Sequence, residues 1–194
     1  MSADVGVKVQ IDLSKFPTRL IDEAAMKDIA EQLRASITQR AFFEGLDVKD
    51  ATFDDYSEKP RVVYFASETA RRLKPKGGTP WKGRRGPRKG ETVGRYYPDG
   101  YKQYKAESRR GLTAASVEVD LILSGQLSRS LRVVRTTSTQ ARIEVRGSST
   151  AYAQGVNQKR EWLGVSPRNV EDLNAVLPQI VAAAAARSTA GQQA

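Results

Sequence analysis

The chain is 194 residues long and contains neither histidine nor cysteine. This excludes a disulfide scaffold, a thiolate metal site and histidine-based proton transfer, leaving carboxylates, Lys and Tyr as the only candidate acids and bases. Its 32 Lys/Arg against 22 Asp/Glu give a net charge of +10, which points to an acidic partner: nucleic acid, a membrane surface or the acidic face of another protein.

The length suits one domain with an appendage, and a globule near that size buries roughly 70% of the surface its unfolded chain exposes. The first residues lack a basic segment followed by an apolar run, and no stretch approaches the ~20 apolar residues of a membrane span, so a soluble protein made in the cytoplasm is expected.

Val5, Val7, Val9, Ile11 and Leu13 alternate with Gly6, Lys8, Gln10 and Asp12, the period-two pattern of a strand with one buried face. From Asp22 to Glu44, Met26, Ile29, Leu33, Ile37 and Ala41 recur at three- and four-residue spacing. That predicts a helix with one apolar stripe, Lys27, Glu31 and Arg34 on its wet face, and Gly45 as its terminator. Asp50, Asp54, Asp55 and Glu58 then cluster around Phe53 and Tyr56, with Pro60 closing the segment. Paired carboxylates can hold a divalent ion, but no second ligand group has recognisable spacing, and a polar connection is the plainer reading. Val62, Val63, Tyr64 and Phe65 open either a strand or a helix.

The next segment concentrates the charge. Between Arg71 and Arg110 there are 14 Lys/Arg against only Glu91, Asp99 and Glu107, a net of +11, while the rest of the chain carries 18 basic and 19 acidic residues. Residues 74–111 also hold Gly77, Gly78, Gly83, Gly86, Gly90, Gly94 and Gly100 with Pro75, Pro80, Pro87 and Pro98, which predicts that neither a helix nor a central strand persists there. A loop of that length is either functional or disordered. As a coil its ends would lie on the order of 35 Å apart, and fully extended it would reach about 125 Å.

Beyond it, Val117, Val119 and Leu121 alternate with Glu118 and Asp120; Leu131 and Val133 suggest another strand; Ala141, Ile143 and Val145 alternate with Arg142, Glu144 and Arg146. Thr136 to Gln140 reads as the turn of a hairpin. A last helix begins with Ser166 as N-cap and Pro167 at its first position, gains Glu171 and Asp172 near its positive end, and buries Val170, Leu173, Leu177 and Ile180. Pro178 is expected to kink it, and Ala182 to Ala186 continue it before residues 188–194 fray. No internal repeat stands out. The organisation expected is residues 1–73 as the N-terminal part of the core, 74–111 as a basic extended arm, 112–187 completing the same core, and 188–194 as a tail.

The arm interleaves aromatics with cations: Lys74, Lys76, Trp81, Lys82, Arg84, Arg85, Arg88, Lys89, Arg95, Tyr96, Tyr97, Tyr101, Lys102, Tyr104, Lys105, Arg109 and Arg110. Cations neutralise phosphates while aromatic faces stack on bases, the mixture that sequence-tolerant nucleic-acid binding uses. Tyr, Trp and Arg are equally the favoured anchors of a subunit interface. Contact with a neighbouring subunit, contact with DNA and plain disorder all remain open. Gly77-Gly78-Thr79 followed by Lys82 lacks the spacing of a phosphate-binding loop, and Ser124 and Ser166 have no histidine to activate them as nucleophiles.

Several weak motifs recur in order downstream: Tyr97-Pro98-Asp99-Gly100-Tyr101 with Tyr104-Lys105; Asp120-Leu121-Ile122-Leu123-Ser124-Gly125-Gln126-Leu127 with Ser130-Leu131; Tyr152-Ala153; and Arg160-Glu161-Trp162-Leu163-Gly164-Val165-Ser166 before a terminal helix. Over about residues 97–186 the chain resembles the tailed-phage virion morphogenesis proteins, small neck or tail-completion subunits. The motif positions carrying the likeness are Leu123, Ser124, Gly125, Leu127, Ser130, Tyr152, Ala153, Arg160, Leu163, Gly164 and Ser166. Physically, Ser124-Gly125 suits a sharp turn into a short helix over Gln126 to Ser130, from which Leu127 and Leu131 enter a core.

The resemblance implies a virion neck protein, made in the host cytoplasm, that forms a homo-oligomeric ring around the DNA channel. A hexamer is the candidate copy number. The implied partners are itself, adjacent head-tail connector or tail proteins, and packaged DNA, with no membrane. No catalysis, cofactor or metal is expected. The alternatives are a stand-alone nucleic-acid-binding protein acting through the arm and, third, a metal-dependent enzyme using the carboxylates from Asp50 to Glu58. The fold expected is α+β: one small, mostly antiparallel sheet packed with two long helices, plus a long basic Gly/Pro-rich extended loop.

Overall fold

The stripe of Met26, Ile29, Leu33, Ile37 and Ala41 is buried throughout in the computed structural model, which describes residues 8–12, 21–65, 76–108 and 126–190. In chain order the elements are β1 (Lys8–Asp12), α1 (Glu23–Thr38) running into a π turn (Gln39–Phe43), β2 (Arg61–Tyr64), β3 (Thr79–Lys82), β4 (Thr92–Tyr97), α2 (Gly100–Ser108), α3 (Gln126–Ser130), β5 (Leu131–Thr136), β6 (Gln140–Val145), a 3-10 turn (Gly147–Ser149), α4 (Thr150–Lys159) and α5 (Pro167–Ala190). They divide into two compact units, residues 1–53 with 120–194, and residues 54–119. The fold is α+β.

In the first unit, β1, β6 and β5 form an antiparallel sheet in that order, with Val9 opposite Ile143 and Leu131 opposite Val145. Period two places Val9, Ala141, Ile143 and Val145 inside and leaves Lys8 and Gln10 exposed. Helix α1 lies on this sheet, Met26 and Ala30 meeting Ala141 with Ile11, Ile21 and Val133 around them. Each large apolar side chain removed from water there contributes about 1.5–3 kcal/mol. Asp22 caps α1 by accepting from the Ala25 N–H at 2.6 Å, and Gly45, at φ 70°, ends the π turn. The turn at residues 137–139 closes the β5–β6 hairpin through Thr137 N–H to the Gln140 carbonyl, 2.8 Å. Leu127 of α3 and Leu131 enter the core, as their spacing predicts.

Helix α5 packs mainly on α1, antiparallel to it, instead of covering the sheet. Arg168 clamps Glu44 at one end and Arg187 holds Asp22 with two bonds of 3.0 Å at the other. Its buried stripe is therefore narrow. Ala184 and Asn169 are buried and Leu173, Leu177 and Ile180 half-buried, whereas Val170, expected inside, is 46% exposed at the edge of this stripe, one position past the buried Asn169. The helix passes through Pro178 and reaches Ala190, so three residues of the expected tail belong to it.

The larger correction concerns residues 76–108. They are not an extended arm. β2, β4 and β3 form a second antiparallel sheet in that order, with β4 central and α2 following it. Two sheets thus replace the single one expected, and residues 54–65 belong with the basic segment instead of with the core. The physical reason is where the breakers sit. Pro80 lies on β3, an edge strand that tolerates a missing donor, Pro87 lies in the turn, and Pro98 comes after β4 has ended.

The expected strand around Val117 to Leu121, the Ser124-Gly125 turn, Leu123, and Val5, Val7 and Leu13 of the first strand lie outside the described residues, as do Lys74, Arg109 and Arg110. Among the described residues no helix is long and apolar enough to cross a membrane.

Candidate functional site

The excess charge follows the division into units. Residues 54–119 carry 16 Lys/Arg against 8 Asp/Glu, net +8, and the other unit 16 against 14, net +2. Within the basic unit the cations gather at the tip of the β3–β4 hairpin, where Lys82, Arg84, Arg85, Arg88 and Lys89 face Glu91 alone.

This tip is a closed turn. The Gly83 N–H donates to the Glu91 carbonyl and the Gly90 N–H to the Gly83 carbonyl, both at 2.9 Å; Lys89 N–H to Gly86 (3.1 Å) and Glu91 N–H to Arg88 (3.2 Å) nest two tight turns inside. With the backbone bonded inward, the side chains point out, and all five basic residues are exposed. Arg88 pairs with Glu91 at 3.0 Å, an exposed contact worth roughly 0–1 kcal/mol. Among the described residues Lys82, Arg84, Arg85 and Lys89 have no carboxylate partner. The Arg84 guanidinium lies over the Trp81 ring, 5.1 Å from its centroid, and Trp81 in turn packs against Tyr96 at 5.8 Å. Sequence reasoning treated Trp81 as a contact in its own right and missed that it holds Arg84. The three-residue spacing was the available signal.

Other residues expected to touch a partner are consumed in building the unit. Tyr97 and Tyr104 are buried and meet edge to face at 5.3 Å; Tyr101 packs on Tyr104 (5.7 Å) and Tyr56 (5.2 Å). Arg61 lies over both Tyr101 and Tyr104. Lys105 is buried, 4.2 Å above the Tyr56 ring and bonded to its hydroxyl. Lys102 pairs with Glu58 at 2.6 Å, which raises the ammonium above its ordinary pKa and lowers the carboxyl. Arg95 donates to the carbonyls of Gly77 and Gly78, and the Gly78 N–H donates to Glu107 at 2.5 Å, so the diglycine is clamped between β4 and α2. Lys76 is exposed, and its carbonyl accepts from Tyr97 Oη at 2.7 Å.

The motif residues of the first unit are architectural. Arg40, buried in the π turn that follows α1, donates from Nη2 to the carbonyls of Trp162 (2.7 Å) and Gly164 (3.1 Å), and Phe42 meets Trp162 edge-on at 5.1 Å. Burial pulls the Arg40 pKa down, while Asp50 and Asp47 oppose the shift. A Cβ on Gly164 would lie 2.6 Å from Val48 Cγ1, so glycine lets the chain at Val48 approach, fixed by Val48 N–H to the Glu161 carbonyl at 2.8 Å. Arg160 lies over Phe53 at 5.5 Å; Ala153 and Leu163 are buried, Ser130 donates to the Leu127 carbonyl, and Tyr152 is 55% exposed.

Ser166 caps α5 as expected, and in a reciprocal pair: its N–H donates to Asn169 Oδ1 (3.0 Å) and its Oγ accepts from the Asn169 N–H (3.2 Å). Asp47 and Asp50 serve locally too. Asp47 Oδ1 accepts from the Lys49 and Ala51 N–H groups, and Asp50 Oδ2 from the Arg168 N–H. Among the described residues no three acidic side chains gather as a metal cluster.

No family model, no curated protein and no solved structure matches this chain.

Proposed function

We propose that the chain is a structural subunit of a tailed-phage neck, which assembles with copies of itself into a ring at the joint between head and tail and performs no catalysis. The observation that carries this reading is the division of charge between the two units. A body of net +2 can pack beside its own copies with little repulsion, whereas repeated units of net +8 need an acidic neighbour. The ordered motifs from Tyr97 to Ser166 support the same reading, because Tyr97, Tyr104, Trp162, Gly164 and Ser166 are spent on building the two units. Adjacent neck or tail proteins and packaged DNA are the partners this role brings.

Native mass spectrometry of the purified chain, with microscopy of particles carrying its gene, tests the proposal. A closed oligomer located at the head-tail joint is the expected result. A chain that stays monomeric at every concentration and is missing from particles overturns it.

A further inference from the structure

We propose that the β3–β4 tip binds the phosphate backbone of double-stranded nucleic acid without reading bases. Lys82, Arg84, Arg85 and Lys89 are exposed and have no carboxylate partner among the described residues, and they sit on a turn whose backbone is already closed by four hydrogen bonds. Little ordering is left to be done on binding, so the Coulomb attraction is not spent on folding a loop.

Arg84 is the anchor. Its guanidinium carbon lies 5.1 Å from the Trp81 ring centroid and its side chain is exposed, so the cation is tethered by the ring while its planar fork can donate to two oxygens of one phosphate. Tyr96 packs against Trp81 from within the sheet and steadies that arrangement.

Two features choose the partner. A protein interface centres on apolar anchors with charges at its rim, yet residues 82–91 hold no aliphatic or aromatic side chain except Pro87. A row of phosphates needs none. Single-strand binding depends on open aromatic faces for the bases, and at the tip the only ring, Trp81, is half-buried, with Arg84 over it and Tyr96 beside it. What the tip offers is four exposed cations beside one carboxylate, Glu91, which is paired with Arg88, an array that suits the outside of a duplex and carries no sequence information.

The inference stands apart from the neck reading, since it is read as duplex binding, whereas the neck reading is read as oligomeric state and place in the particle. Fluorescence anisotropy of the full-length protein with a ~30-bp duplex tests it. Four phosphate contacts give a slope of log K against log salt near −3.6, a loss of roughly 100-fold between about 50 and 200 mM salt. Replacing Lys82, Arg84, Arg85 and Lys89 together by Gln abolishes binding, with circular dichroism unchanged because all four are exposed; should that variant misfold, Arg85→Gln alone lowers the slope by about 0.9. Trp81→Leu weakens binding roughly two- to fivefold by releasing Arg84. Tighter binding to a single strand of equal length, equal competition by polyglutamate of matched charge, or undiminished binding by the quadruple variant each overturns the assignment.

Discussion

Asn169 is the residue whose removal tests the α1–α5 packing most directly. It is wholly buried; its Oδ1 accepts from the Ser166 N–H at 3.0 Å and its Nδ2 donates to Ser36 Oγ at 2.7 Å, which itself donates to Asp172 at 2.5 Å. Asn169→Ala deletes two hydrogen bonds at about 1 kcal/mol each and leaves the buried Ser166 N–H without an acceptor, a further cost of about 1 kcal/mol or more, for a total near 3 kcal/mol. With a urea dependence of about 2 kcal/mol per molar, the unfolding midpoint falls by about 1.5 M. The assay is Trp162 fluorescence in a Trp81→Phe background, so that only the unit containing α5 is read. Ser166→Ala alone costs about 1–2 kcal/mol, and the double variant loses less than the sum because both substitutions break the same reciprocal cap. A midpoint shift below about 0.3 M for Asn169→Ala would refute the claim that this network ties α5 to α1.

Asp22 is held at a pKa of about 2 by its hydrogen bonds from Arg187 and from the Ala25 N–H, against an ordinary 3.8. A carboxyl depressed on folding stabilises above its unfolded pKa, so the thermal stability gap between wild type and Asp22→Asn is full above pH ~5 and closes as pH falls through about 4 towards 2. A gap that instead widens towards acid contradicts the clamp. Gly100 has φ 65° and a Cβ there would lie 2.5 Å from the carbonyl oxygens of Ser57 and Lys59; Gly100→Ala costs the basic unit about 2–3 kcal/mol, seen as faster proteolysis within residues 76–108. Gly164→Ala costs about 1–3 kcal/mol by pressing on Val48, and Val48→Ala in the same chain recovers part of it in chemical denaturation.

The helical stripe of α1 and the alternation of β6 were legible because one face of each element is buried and the period of the burial is written directly in residue type. The basic segment was misread for an equally physical reason. Its strands are four to six residues long and its core is made of tyrosines with Arg61 and Lys105 laid over their rings, so the apolar alternation that announces a strand is missing. Counting glycines and prolines measures how often the chain turns, not whether the pieces between turns pair. Arg40 and Asn169 escaped because a buried polar residue looks like a surface residue until its partners, more than 120 positions away, are placed beside it. Ser166 followed by Pro167 announced the cap, and the Ser-x-x-Asn spacing at the start of α5 was the local sign of Asn169's part in it, with Asn standing where Glu or Gln is the usual partner.

The ordered motifs and the candidate site occupy different parts of the chain, and this separation has a mechanical sense. Gly100, Tyr104, Arg160, Trp162, Gly164 and Ser166 are fixed by close approaches, ring contacts and buried hydrogen bonds, so each is constrained by the shape of the body it builds. Residues 82–91 lie ahead of all of them and are constrained only to turn and to carry charge. On the ring reading proposed above, a subunit that repeats around an axis needs packing surfaces of fixed shape, while reach towards a polyanion needs only cations on a closed turn. Likeness in the motifs therefore speaks to how the units fold, and on the proposed reading the partner is met by the few exposed arginines and lysines that no motif includes.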